Sequence, residues 1–313
     1  MTFLKKLSPL AAIALSLIVI SCSDFSNIAS NDKVNKSELV KSSSVKNQVI
    51  QSLKTVEQSI CNPPIGWKEA YYKSQNGIFL FGEWHGTREA PDIVVEYACA
   101  VAEATGGKTI LLFEVNYLNS PVFETVISGE YNDAEETLKE GLRVFWNGSQ
   151  DGRKSYSAMN AMLRVKEIND QGVNLFFGST GISDEEFLAI YNKKIPMSEL
   201  YNIEAKNILD TKKNYSNVIT YTGNIHAARH ANYFKKVGFD NFLALDYIFF
   251  GGKSWSCTPA CGITKLTPYT KAKYLKEELD RSIVVNEDID PVFKGFFITH
   301  EPTPIIPYPS NNN

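Results

Sequence analysis

The chain has 313 residues, of which 43% are hydrophobic and 21% are charged. This is enough apolar material for a sizeable core, and once both ends are set aside the length fits one large domain. The formal net charge is −3, or −5 if a leader carrying Lys5 and Lys6 is removed. This balance argues against nucleic acid or an acidic membrane surface as a partner.

Residues 1–21 have the pattern of a secretory signal peptide. Two lysines precede an apolar run over residues 10–20, which is too short for a comfortable membrane span. The small residue before Cys22 resembles the cleavage motif of bacterial lipoproteins, in which the cysteine becomes the first residue and carries lipid, including palmitate. We therefore expect a protein anchored in the cell envelope through Cys22. The outer membrane is favoured over the inner because Ser23 follows the cysteine.

Three further regions follow the predicted leader. Residues 22–60 are rich in Ser, Asn and Lys and predict a flexible tether. Residues 61–305 predict a single domain, and residues 306–313, with their prolines and asparagines, predict an irregular tail.

Within the domain, short apolar runs alternate with amphipathic stretches. The predicted strands are Ile78–Gly82, Thr109–Val115, Val173–Gly178, Val218–Gly223 and Phe242–Phe250. The predicted helices are Pro91–Thr105, Ala134–Glu140, Tyr156–Gln171, Glu185–Tyr191 and Met197–Lys213. This order predicts an α/β fold with a mostly parallel sheet flanked by helices, and an active-site crevice at the carboxyl ends of the strands.

The first predicted strand ends in a turn that is dense in chemistry. Gly82-Glu83-Trp84-His85 is followed by Arg88 and Glu89. A carboxylate beside an imidazole raises its pKa and fixes its tautomer, as a general base or a metal ligand requires. We therefore predict that His85 and Glu83 are catalytic and that Arg88 and Glu89 bind substrate. The alternative is a helix start that carries charge only for capping.

Glu114 closes the next apolar strand. An acidic residue at that position is costly to bury without a partner. An imidazole, cation or metal in the crevice would explain it, and so would a structural salt bridge to a loop cation. We include Glu114 among the predicted catalytic residues.

The second Gly-x-x-His turn, Gly223-Asn224-Ile225-His226, follows a later strand. We predict that His226 is functional and shares a site with His85. His230 lies four residues further on, on the same face if the segment is helical, but the glutamate of a His-Glu-x-x-His zinc motif is missing. His230 is therefore a weaker metal candidate and could be a surface neighbour. His300 is predicted to have no role, and the loop 151–153 either lines the crevice or caps a helix.

Four cysteines remain besides Cys22, which in an oxidising compartment indicates two disulfides. Three pairings are possible. The short spacing favours Cys257–Cys261, which leaves Cys61–Cys99 by elimination. A zinc cluster is the competing interpretation, although the chain has no Cys-x-x-Cys pair.

Together these motifs resemble the superfamily that joins erythromycin-esterase-like proteins, ChaN-like haem-uptake lipoproteins and Tiki/TraB proteins. The matching segments are 81–91, the strand ending at Glu114, and 222–227. The resemblance implies one site formed by Glu83 and His85, Glu114, and His226. It also implies three different roles: water-activating hydrolases, metal-dependent peptidases, and haem-binding dimers.

We therefore predict a cell-envelope hydrolase that cleaves an ester or amide of a small molecule or peptide. His85 would activate water, with or without a divalent metal (Mn, Co or Zn) held by His85 and His226. The alternative is a haem- or metal-binding lipoprotein, possible as a homodimer, with Tyr97, Tyr117 or Tyr221 as a conceivable haem ligand. No Gly-x-Ser-x-Gly elbow supports a serine nucleophile.

Overall fold

The apolar runs of the sequence form the strands of the domain, and the amphipathic stretches between them form helices. In this computed structural model the described residues are 59–115, 120–147, 152–257, 261–269, 271, 275, 279–288 and 290–308. They belong to the compact unit Val56–Asn313. The predicted leader, Cys22 and all but the last two residues of the predicted tether lie outside them.

The helices are α1 (Trp67–Lys73), α2 (Glu89–Thr105), α3 (Ser120–Ser128), α4 (Tyr131–Gly141), α5 (Arg143–Trp146), α6 (Tyr156–Asp170), α7 (Asp184–Tyr191), α8 (Leu200–Lys212) and α9 (Asn224–Lys236). The strands are β1 (Ile78–Glu83), β2 (Thr109–Phe113), β3 (Leu175–Ser179), β4 (Asn217–Gly223), β5 (Phe242–Phe249), β6 (Lys253–Cys257), β7 (Cys261–Lys265), β8 (Ser282–Val285) and β9 (Gly295–Thr299). None of the described helices is long and apolar enough to span a membrane.

Seven strands form one sheet in the order β3-β2-β4-β1-β5-β9-β8, and β6 and β7 form a separate hairpin. Every neighbouring pair in the large sheet is parallel except β8 and β9. The predicted α/β class with a mostly parallel, helix-covered sheet is therefore confirmed. Helices α1, α3, α5 and α9 and the strands β6 to β9 were not predicted.

The core has two layers because strand side chains alternate between the faces of the sheet. Phe79 and Phe81 of β1 pack toward the face covered by α2 and α6. Ile78 and Leu80 of the same strand pack toward α8 and α9. The strands are buried on both faces, which explains why their sequences are continuously apolar.

Both predicted disulfides are present. Cys61–Cys99 ties the entry segment of the domain to α2, and Cys257–Cys261 closes the β6–β7 hairpin. The described part of the predicted tail has no helix or strand, but it lies along the domain: Pro307 forms an isolated bridge with Ser155, and Tyr308 is buried against Trp146.

Candidate functional site

The two Gly-x-x-His segments leave neighbouring strands at the same height. β1 and β4 are paired in register, with Glu83 opposite Gly223 at their carboxyl ends. β2 lies on the other side of β4, with Phe113 opposite Tyr221. The sheet therefore brings the ends of β1, β2 and β4 together at one edge.

His85 follows β1 and is held by Glu83, the last residue of that strand. Its Nδ1 lies 2.6 Å from Glu83 Oε1, and the Tyr221 hydroxyl donates to the other Glu83 oxygen. Burial and the Glu83 charge keep the pKa of Tyr221 well above its usual value, so the phenol stays a donor. Burial disfavours the charged imidazole, but the nearby carboxylates outweigh it and raise the pKa of His85 above 6.5.

Glu114 occupies the centre of the site and is only 6% exposed. Arg153 Nη1 donates to its Oε1 at 2.5 Å, and the Gly223 N–H donates to its Oε2 at 2.6 Å. Nε2 of His85 lies 3.7 Å from Oε2, and Nε2 of His226 lies 3.4 Å from Oε1. Burial alone would raise the pKa of Glu114, but these positive partners lower it overall.

The glycines around the site allow its groups to approach closely. A Cβ on Gly223 would lie 2.8 Å from His85 Nε2 and 3.4 Å from Glu114 Oε2. Gly86 has φ 103°, and a Cβ there would lie 1.9 Å from the Trp255 carbonyl oxygen. The Gly86 carbonyl accepts hydrogen bonds from the N–H groups of Trp255 and Ile305. The turn that carries His85 is therefore fixed by β6 and by the segment that follows β9.

His226 lies in the first turn of α9 and bridges two carboxylates. Its Nδ1 lies 2.9 Å from Glu204 Oε2, on α8. The same oxygen lies 3.0 Å from Nε2 of His230. Burial opposes charge on His226, yet the hydrogen bond to Glu204 and the Glu114 charge raise its pKa.

His230 is fully buried, so the expectation of a surface neighbour is wrong. Glu204, His226 and His230 offer ligand atoms that all lie within 4.8 Å of one another. In the described part of the chain this is the one such group of three, and His85 is not a member. The predicted metal pair of His85 and His226 is therefore not contained in this group of three, and His226 alone belongs to it.

Sequence reasoning missed Glu204, although a signal was available. In α8 the buried positions are Glu204, Ala205 and Ile208. Helical spacing places residue 204 on the same face as residue 208, so the pattern assigns a carboxylate to the core. A charge at a core position indicates a buried partner.

Arg88 and Glu89, the predicted substrate-binding residues, lie at the start of α2. Both line a cleft of about 380 Å³ between α2 and α6, together with Arg164. The Glu89 carboxylate accepts hydrogen bonds from the backbone N–H and hydroxyl of Thr303. The structure does not bring either residue into the contacts among His85, Glu114 and His226.

The other candidate residues lie at the following positions. Tyr97 is fully buried between Phe79 and Phe81, and Tyr221 is buried against Glu83, so neither ring is accessible to a haem. His300 packs against Phe250. Tyr117 and Asp151 lie outside the described residues. Arg153, which the sequence left open between lining and capping roles, lines the site.

The fold is similar to two solved bacterial structures. One is a protein from Bacillus cereus, with a TM-score of 0.55 and 7% sequence identity over 83% of this chain and 99% of that one. The other is a Bacillus cereus succinoglycan biosynthesis protein, with a TM-score of 0.55 and 10% identity over 84% of this chain and 98% of that one. No family model and no curated protein matches the sequence. At these identities the likeness concerns the fold alone.

Proposed function

We propose that this protein is a hydrolase that cleaves an ester or amide by activating water with His85. One observation carries the proposal: Glu83 holds Nδ1 of His85 at 2.6 Å, while Nε2 has its nearest carboxylate at 3.7 Å and the side chain is 25% exposed. A general base needs this combination of an oriented ring and a reachable nitrogen.

The hydrogen bond from Nδ1 to Glu83 assigns the proton to Nδ1 and leaves the lone pair on Nε2. The 3.7 Å from Nε2 to Glu114 is longer than a direct hydrogen bond, so this nitrogen is not committed to the carboxylate. It can take a proton from a water molecule. The imidazolium that forms then lies between two carboxylates, which stabilises it.

His226 is placed to act on the other partner of the reaction. Its Nε2 lies 3.4 Å from Glu114 Oε1, on the opposite carboxylate oxygen from His85. A proton on this nitrogen would be donated to the oxygen of the scissile carbonyl and would stabilise the charge that develops there. Glu114, fixed by Arg153 and the Gly223 N–H, would set the spacing of the two imidazoles.

We extend the proposal to the family and the location. The Gly-Glu-x-His turn, Glu114 and the later Gly-x-x-His turn meet at one sheet edge, which supports membership of the erythromycin-esterase-like, ChaN-like and Tiki/TraB superfamily. The lipid anchor at Cys22 and a cell-envelope location remain part of the proposal on sequence grounds. The haem-binding alternative gains no support, since Tyr97 and Tyr221 are both buried.

The test is hydrolysis of a panel of esters and amides, including 4-nitrophenyl acetate and short peptides, by the full chain in detergent. We expect His85→Gln to lower kcat by roughly 10²–10⁴-fold with an unchanged thermal transition. His300→Gln is the matched control, because His300 lies outside the site, and it should retain full activity. Turnover that survives in His85→Gln would refute the assignment of the base.

A further inference from the structure

A second cluster lies on the far side of His226. Nε2 of this ring faces Glu114, and Nδ1 faces Glu204. His230 follows four residues later on α9, so both rings lie on one helical face toward α8. We propose that Glu204, His226 and His230 form a binding site for a divalent transition metal ion of the zinc class.

The donor set and spacing fit such an ion. Two imidazole nitrogens and one carboxylate oxygen are a common zinc ligand set, with bonds of about 2.0–2.2 Å that place tetrahedral ligands roughly 3.3 Å apart. Glu204 Oε2 lies 2.9 Å from Nδ1 of His226 and 3.0 Å from Nε2 of His230. These two distances are within a few tenths of an ångström of the ligand spacing, and the three ligand atoms all lie within 4.8 Å of one another.

The tautomers also permit binding. Nδ1 of the fully buried His230 has no hydrogen-bond partner within the described part of the chain. The ionised Glu204 can only accept a hydrogen bond, so without a metal it favours the proton on Nε2 of His230. A metal ion at Nε2 would displace that proton and leave the neutral ring protonated at Nδ1. Coordination of His226 through Nδ1 leaves its proton on Nε2, which faces Glu114 and the proposed reaction centre.

The charge of the site favours a cation. Glu204 is almost fully buried and lies between the two imidazoles. A carboxylate is costly to bury without a positively charged partner. A divalent ion at Glu204 would be such a partner while the imidazoles stay neutral.

Three protein ligands leave one position of a tetrahedral ion for water or another small ligand. Access is available beside the cluster. A cleft of about 320 Å³ between α8 and α9 is lined by Tyr201 and Arg229, and the Tyr201 ring contacts the His226 ring edge-on at 4.9 Å. Tyr201 therefore lines the open cleft and also contacts His226, a ligand of the proposed ion.

Metal binding is measurable without turnover, so this inference does not depend on the proposed hydrolase. The experiment is equilibrium dialysis of the untagged, chelator-treated full chain in detergent against Zn²⁺ and Co²⁺, followed by elemental analysis. We expect one equivalent in the wild type and at least tenfold weaker binding in Glu204→Gln and in His230→Gln. Glu136→Gln, an exposed carboxylate on α4, is the matched control and should bind as the wild type does.

His85→Gln separates the two proposals, since it should keep the ion while losing hydrolysis. Absence of binding to the wild type, or binding that is unchanged in both Glu204→Gln and His230→Gln, overturns the metal site. X-ray absorption of the zinc-loaded wild type gives a reading that needs no variant. Two imidazoles in the coordination sphere support the site, and a sphere without imidazole refutes it.

Discussion

Substitution of Gly223 by alanine tests the site with one methyl group. Gly223 has φ −57° and ψ 147°, which alanine adopts without strain. The added Cβ would lie 2.8 Å from His85 Nε2. An ordinary contact needs about 3.5 Å or more, so the imidazole must move by roughly 0.7 Å. Misplacement of about 1 Å costs on the order of 10²-fold in rate, and we expect kcat/KM to fall roughly 10- to 100-fold.

The stability of Gly223→Ala should change by a free energy similar to or smaller than the one lost in catalysis, which is about 1.4–2.7 kcal/mol for a 10- to 100-fold slower reaction. Overpacking costs about 1–3 kcal/mol of stability. Alanine also lowers the conformational entropy of the unfolded chain relative to glycine, which offsets roughly 0.4–1 kcal/mol of this cost. The assay pairs ester hydrolysis with thermal unfolding. Gly262→Ala is the control, because nothing lies within 4 Å of a Cβ there. A Gly223→Ala protein with wild-type kcat/KM would refute the placement of His85 against residue 223.

Three further results are expected. First, kcat/KM should rise with pH through a midpoint above 6.5, because His85 must be neutral to act as a base and its pKa is raised. Glu83→Gln removes a charge that raises this pKa, so it should lower the midpoint. The same midpoint in Glu83→Gln and the wild type would contradict the pairing of Glu83 with His85. Arg153→Met removes the charged hydrogen bond to Glu114 and should cost about 1.5–3 kcal/mol in urea unfolding; an unchanged midpoint would argue against this bond. Replacing Cys61 and Cys99 by alanine opens a loop of 38 residues and should lower the free energy of unfolding by about 4 kcal/mol, because the unfolded chain gains entropy. Opening the 4-residue loop of the β6–β7 disulfide should lower it by about 2 kcal/mol. Equal losses of stability in thermal unfolding would contradict the dependence on loop length.

The sequence was most informative where burial imposes a pattern. β1, β2 and β4 are buried on both faces, so their apolar runs marked them and also marked the polar residues at their ends. Parallel pairing then placed Glu83, His85 and Glu114 together, because the carboxyl ends of parallel strands share one edge. This is why the convergence of these groups could be predicted without coordinates.

The missed parts lack that local signal. The β6–β7 hairpin is largely exposed, and β8 is an edge strand of only four residues, so neither has a long apolar run. Glu204 reaches His226 from 22 residues away on another helix, and only helix packing creates the contact. Arg88 and Glu89 show the converse: they are close to His85 in sequence, but they line a cleft between α2 and α6 whose lining does not include His85, Glu114 or His226.

The carboxylates and imidazoles of the site alternate in one continuous network of contacts. His85 and His226 share Glu114, and His226 and His230 share Glu204. A change in charge on any member alters the next, so single substitutions report on the network rather than on one residue. His226 contacts both Glu114 and Glu204, so its loss would impair hydrolysis and metal binding together. The functions are therefore separable only at the ends, where His85 serves one and His230 the other.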